Sequence, residues 1–246
     1  MNILVLAAGD PMAGGGGDAY PIWLSEIDGC LVLERQVKAL LSLGDGQVIF
    51  AFRGAEIDAY HVDEIARQIV PTASVVDVRR PTAGAACTAL LAIGKLDLNA
   101  PLIVVSATDH IDVDYPAVIA GFEARGADAG ILTFDSLHPR YSFVRIDPDG
   151  LVVEAAEKRP ISRKANAGFY WFARAGDFID GIKQMILKDA HVNGTFYISP
   201  SLNELILKNK RIATWHIEGH RYHPLKDQRQ FETFDQQIDG RKRHAS

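Results

Sequence analysis

Asn2-Ile3-Leu4-Val5-Leu6-Ala7-Ala8-Gly9 opens the chain as an apolar run that stops at small residues and a glycine. A continuous apolar run of strand length, without alternation, suits a strand covered on both faces, as in a parallel sheet packed between helices. Similar runs return at Gln47 to Phe52, Ser74 to Val78 and Leu102 to Ser106. Between them, Leu33 to Leu43 and Val62 to Ile69 repeat apolar residues at helical spacing, and Gly84 leads into an Ala- and Leu-rich helix at Ala85 to Ile93. Strands that alternate with helices read as βα units feeding a mostly parallel sheet.

From Gly130 onward the character changes. The strands expected at Ile131 to Phe134, Ser142 to Ile146, Leu151 to Glu157 and Gly168 to Phe172 have little helix between them, and Pro148-Asp149-Gly150 reads as a hairpin-type turn. This half is therefore expected to be mixed or antiparallel. A helix at Asp177 to Leu187, another entered through Ser199-Pro200, a strand at Arg211 to Ile217 and a helix at Gln228 to Ile238 complete the pattern. One domain is expected over residues 1–240, with 241–246 as a solvated basic tail.

Composition narrows the function classes. Lys and Arg number 26 against 31 Asp and Glu, a net charge of −5, so no overall positive field draws the protein onto nucleic acid or anionic lipid. Any phosphate must be held by local features. Cys30 and Cys87 are the only cysteines, too few for a disulfide framework or a four-cysteine zinc site. The opening apolar run has no basic flank and breaks at Gly9-Asp10-Pro11, so it reads as a strand rather than a signal or membrane segment, and a cytoplasmic protein is expected.

The loop after the first strand carries Gly9 and the tetraglycine Gly14 to Gly17. Small residues let a backbone approach a base or phosphate closely, and free amides form an anion-binding nest. A plain surface glycine loop explains the tetraglycine as well. The spacing is neither a P-loop nor a dinucleotide fingerprint. Asp109 ends an apolar strand, where open α/β sheets place ligands, and its hard oxygens suit a divalent cation; a turn or cap role is the alternative. Glu157 and Lys158 are neighbours whose side chains leave a strand on opposite faces, and the flexible ammonium suits a phosphate oxygen. His110 could join a metal site, Arg140 could clamp a phosphate, and Asn193 to Tyr197 with Asn203 and Glu204 could meet sugar hydroxyls, though each also has an ordinary structural explanation.

These segments together resemble the sugar-1-phosphate nucleotidyltransferases. The resemblance rests on Leu6-Ala7-Ala8-Gly9, on Tyr20-Pro21-Ile22-Trp23-Leu24-Ser25-Glu26-Ile27-Asp28-Gly29, on Thr82-Ala83-Gly84-Ala85-Ala86, on Asp109, and on Glu157-Lys158-Arg159-Pro160 followed by Ala167-Gly168-Phe169-Tyr170. It implies a three-layer α/β/α sandwich with a mixed, mostly parallel central sheet. It further implies an enzyme that joins a nucleoside triphosphate to a sugar-1-phosphate or similar small phosphorylated metabolite, releasing pyrophosphate, in surface-polysaccharide assembly. Leu6, Ala7, Ala8, Gly9, Thr82, Gly84 and Ala85 would hold the nucleotide, and Asp109, with Asp112 in the same acidic cluster, would hold Mg²⁺. Lys158 would lie near the acceptor phosphate, and Glu157, Gly168 and Asn203 on the sugar side. A homo-oligomer is compatible with this reading.

The chain departs from that pattern in its cations. The family loop carries an Arg soon after its glycine, whereas Asp10 to Asp18 contains no base; Pro21-Ile22 stands where a Pro-Lys pair belongs. Pro224-Leu225-Lys226-Asp227 lacks the glycine of the family's last motif, and Asp227 is either a second metal ligand or a helix cap. Each lost donor to developing charge costs ~2.7–4 kcal/mol of barrier. Lys226, Arg53, Arg79 and Arg80 are the available replacements. Two alternatives stay open: a glycosyltransferase using the Asp112-Val113-Asp114 pattern with a nucleotide-sugar donor, and an inactive nucleotide- or sugar-binding homologue. The nucleotidyltransferase reading expects Asp109 and Lys158 to face one another across a cleft floored by the first strand.

Overall fold

The computed structural model describes residues 1–9 and 20–245, with side chains as far as Ile238. The tetraglycine and the acids Asp10 and Asp18 lie outside the described residues. In chain order the first elements are strand β1 (Asn2–Leu6), short strands β2 (Glu26–Ile27) and β3 (Cys30–Leu31), helix α1 (Val32–Leu41), β4 (Gln47–Arg53), α2 (Gly54–Tyr60), α3 (Val62–Ile69), β5 (Ser74–Val78) and α4 (Ala85–Leu90). Next come β6 (Leu102–Ser106), β7 (Asp109–Ile111), α5 (Tyr115–Ala124), β8 (Ala129–Asp135), β9 (Ser142–Ile146), β10 (Val152–Glu157) and β11 (Lys164–Phe172). The chain continues through α6 (Ala175–Leu187), α7 (Ser201–Leu207), β12 (Ile212–His216), β13 (Tyr222–Pro224) and α8 (Gln228–Ala245).

Strands β5, β4, β1 and β6 lie side by side in parallel, with Leu4 opposite Ile49 on one side and Val104 on the other. Strand β11 then runs antiparallel to β6 and to β8, and β12 joins β8 in parallel. The β9–β10 hairpin extends from the other half of β11, where Ala165 meets Phe143. Its turn is closed by Asp147, whose carboxylate accepts from the Leu151 amide at 2.8 Å, and by Gly150 at φ +75°. The sheet is therefore mixed and mostly parallel in its first half, as the apolar runs indicate.

Alternate residues of the strands supply two cores. Val5, Phe50, Ile103 and Trp171 face α1, α3 and α5, while Leu4, Ile49, Val104 and Phe172 face α4, α6 and α7. Both faces are covered, which is why the run Phe169 to Phe172 is buried at every position rather than at every second one. The result is a three-layer α/β/α sandwich that gathers the loops after β1, β4, β5 and β6 at one edge of the sheet.

Several elements differ from the sequence expectation. Helix α5 was not expected, because its apolar residues surround the helix, Gly121 interrupts it and Pro116 stands near its start. It forms because Asp114 caps it, accepting from the Ala117 amide at 3.2 Å, and because Gly121 leaves room for the Trp215 ring. Ser199 does not cap α7: the helix begins at Ser201, and Ser199 is fully buried. Helix α8 continues to Ala245 instead of stopping near Ile238, so the basic run Arg241 to His244 is helical, in keeping with the helix propensity of Arg and Lys.

Gly130 in β8 lies directly under the Phe122 ring of α5, where an added Cβ would collide. Gly130→Ala is expected to destabilise the fold by ~1–3 kcal/mol through overpacking, read as a lower midpoint of urea unfolding.

Candidate functional site

Asp109 follows β6 after the short turn Ala107-Thr108 and begins β7. Its side chain is 7% exposed. A buried carboxylate needs compensating donors, and two are supplied from β13 and the residues just after it. The Tyr222 hydroxyl donates to Oδ1 at 2.9 Å, and the Lys226 ammonium donates to Oδ2 at 2.8 Å and to Thr108 Oγ1 at 2.7 Å. Pairing of Pro224 with Asp109 in the β7–β13 ladder sets this register. Beneath, Gln36 of α1 clamps the turn, its amide donating to the carbonyls of Ser106 at 2.7 Å and Asp109 at 2.8 Å.

Gly168 packs against the same carboxylate. A Cβ at that position would lie 3.0 Å from Oδ2, and φ there is +79°, so close approach and backbone shape both call for glycine. Asn166 accepts from the Gly168 amide at 2.8 Å, while its Nδ2, on a side chain of a residue 4% exposed, has no partner among the described residues. Strand β11 is irregular between Asn166 and Tyr170, which is how both residues come to this edge.

Lys158 is exposed, follows β10 and takes a left-handed conformation at φ +54°. Its ammonium donates to the Tyr197 hydroxyl at 2.6 Å. Its backbone amide donates to the Tyr141 carbonyl, and the Tyr141 ring packs edge-on against Tyr222 at 6.0 Å. Lys158 and Asp109 are thus joined through Tyr141 and Tyr222. The ammonium that meets Asp109 directly, however, is that of Lys226. Burial pushes the Glu157 carboxyl up to about 7, opposed by the neighbouring Lys158 charge. Burial also raises the Tyr170 hydroxyl, and the charges of Glu157 and Asp109 add to that effect.

The residues expected around the nucleotide fall into two groups. Leu6 ends β1 and Ala7 and Ala8 follow it, and among the described residues nothing lies within 4 Å of a Cβ added at Gly9. Thr82, Gly84 and Ala85 form a tight turn before α4. The Thr82 hydroxyl is engaged with Gly84 O at 3.1 Å and with Thr88 Oγ1 at 2.7 Å. A Cβ on Gly84 would lie 2.5 Å from Phe196 O, so the segment before Tyr197 already requires this glycine. Asn203 stands apart: its amide accepts from Ala155 N at 2.9 Å and donates to Ala155 O at 2.8 Å, which occupies it with the edge of β10.

The residues present do not fit a divalent cation at Asp109. Both carboxylate oxygens already accept hydrogen bonds, one from an ammonium. Asp112 lies three residues further on, past the end of β7. Asp227 caps α8, accepting from Gln230 N at 2.9 Å, and Asp114 is spent as the cap of α5. Among the described residues no three His, Cys, Asp or Glu side chains converge on a point where a metal could sit. His110 stacks with His223 and Phe234 instead.

The replacement cations separate in the same way. Arg53 pairs with Glu56, and Arg79 with Asp58 and Asp77, whereas Arg80 makes no ion pair among the described residues. Arg140 lies over the Tyr141 ring at 4.8 Å and donates to its hydroxyl at 2.6 Å. Ile22 packs its side chain on the core. Tyr222 and Asn166 were not read as site residues; only Asn166 left a local trace, two positions before Gly168.

No protein-family profile and no curated protein matches the chain. Solved structures do. A nucleoside-diphosphate-sugar pyrophosphorylase from Vibrio cholerae RC9 matches with a TM-score of 0.79 and 21% identity, over 96% of this chain and 100% of that one. A UDP-glucose pyrophosphorylase complexed with UDP-glucose matches with a TM-score of 0.76 and 17% identity over 98% of each chain. HddC from Yersinia pseudotuberculosis, complexed with GMP-PN, matches with a TM-score of 0.67 and 17% identity, over 96% of this chain and 99% of that one. The chain therefore has the nucleotidyltransferase-like fold, in a strongly divergent sequence.

The raised Glu157 carboxyl has a consequence for stability. Burial favours the neutral acid, so the stability it confers is complete below the ordinary value of 4.5 and is lost as pH rises through about 7. Glu157→Gln carries no such charge. It is expected to match the parent near pH 5 and to be more stable by ~1–3 kcal/mol at pH 8, measured by urea unfolding at both values.

Proposed function

We propose that this chain is a nucleotidyltransferase that joins a nucleoside triphosphate to a sugar-1-phosphate or related phosphorylated metabolite, with release of pyrophosphate. Its product would be a nucleotide sugar for surface-polysaccharide assembly. One observation carries the reading: an unbroken series of contacts around the carboxyl ends of β1 and β6. It runs from Gly84 through Phe196 and Tyr197 to Lys158, then through Tyr141 and Tyr222 to Asp109 and Gly168. The likeness in fold to pyrophosphorylases supports the same reaction class.

In that reaction a phosphate oxygen of the sugar phosphate attacks the α-phosphorus of the triphosphate. The bond to the β-phosphate bridging oxygen breaks, and pyrophosphate leaves with its electron pair. The nucleophile is already an anion, so no side chain has to remove a proton, and the protein's part is positioning and positive charge. Lys158 and Arg140 suit that task because their partners, the Tyr197 and Tyr141 side chains, are not carboxylates and leave their charge available. The open Nδ2 of Asn166 beside Gly168 is a buried donor suited to a sugar hydroxyl. Glu157, poised near neutrality, can accept from a hydroxyl when ionised.

A second reading, a binding protein without turnover, is favoured by the ammonium on Asp109 and by the uncharged Ile22. Pyrophosphate release separates the two. With triphosphates and sugar-1-phosphates in combination, the parent is expected to release pyrophosphate, and Lys158→Ala to lower kcat/KM roughly a hundredfold or more. Absence of release with every pair, alongside thermal stabilisation by a nucleotide sugar that follows mass action, would leave the binding protein.

A further inference from the structure

Lys226 is held as firmly as a ligand of Asp109 would be. Leu225, fully buried, donates its amide to Thr108 O at 2.7 Å, and the Lys226 amide donates to Gln230 Oε1 at 2.8 Å. The backbone on both sides of the lysine is thereby fixed to the Asp109 turn and to α8. An ammonium has three donors. Two are spent on Asp109 Oδ2 and Thr108 Oγ1, and the third has no partner among the described residues. The side chain is 44% exposed, so that remaining donor is accessible.

We infer that Lys226 is a built-in cation that occupies the position of a divalent metal on Asp109 and offers its remaining N–H to a phosphate oxygen of the ligand. The second half of this rests on the nucleotide reading given above. The first half stands on Asp109 alone. An ammonium at 2.8 Å neutralises the carboxylate and excludes a hard cation from its oxygens, and Tyr222 closes the other oxygen. A Lys has one charge where the metal has two. It binds a phosphate as a point charge.

The test uses the full chain and two probes. In Mn²⁺ titrations followed by electron paramagnetic resonance, without nucleotide, the parent and Asp109→Asn are expected to bind equally little. Lys226→Ala is expected to gain a site that is lost again in the Lys226→Ala, Asp109→Asn double variant. Mn²⁺ binding by the parent that disappears in Asp109→Asn would overturn the inference, and that comparison stands even should Lys226→Ala fail to fold. In calorimetry with UDP-glucose, the parent's affinity is expected to stay within twofold between EDTA and Mg²⁺. Lys226→Arg is expected to keep that insensitivity, and Lys226→Gln to weaken binding about tenfold in EDTA with recovery in Mg²⁺. Loss of the parent's binding in EDTA would also overturn the inference. Failure of UDP-glucose to bind in any arm would count against the nucleotide reading, while the Mn²⁺ comparison still decides the role of Lys226.

Discussion

A carboxylate withdrawn from water has to be met by donors, and Asp109 organises one end of the molecule around that requirement. Its donors come from β13 and the turn after it, more than a hundred residues along the chain, so the β7–β13 ladder must form in the register that opposes Pro224 to Asp109. Gln36 reaches from α1 to hold the turn below, and Gly168 must lack a side chain because the carboxylate occupies that space. Helix α1, strand β11 and the β7–β13 ladder are thus tied to a single group.

The sheet explains why this group sits where it does. Strands β4, β1 and β6 are buried on both faces, so polar residues are forced to their ends. The parallel strands share one carboxyl edge, and β11 arrives from the opposite direction with its irregular half at the same edge. Gly168 reaches Asp109 because β11 runs antiparallel to β6, and the β9–β10 hairpin paired with β11 sets the raised carboxyl of Glu157 close to Tyr170.

Charge is distributed at this edge with a simple logic. Arg53 and Arg79, away from the arc, are paired with carboxylates and so are largely neutralised. Lys158 and Arg140, on the arc, are held by tyrosines, which fix position without cancelling charge. Lys226 lies between these cases, neutralising one buried carboxylate while keeping a donor in reach of solvent. A net acidic protein can in this way present local positive charge to a phosphate.

Much of the architecture was legible in the residue order. Continuous apolar runs marked the strands buried on both faces, helical spacing marked α1 and α3, and Pro148-Asp149-Gly150 marked the β9–β10 turn, because these signals depend on neighbours a few positions apart. Asp109, Lys158 and Gly168 were singled out through a resemblance in linear motifs. Helix α5 was missed because an apolar residue on every side erases the period that announces a surface helix. The bracing of Gly84 by Phe196, the occupation of Asn203 by Ala155 and the seat of Lys226 on Asp109 are contacts between distant segments. Local spacing carries no record of them, so only the folded chain decided which polar groups were already satisfied and which remained for a ligand.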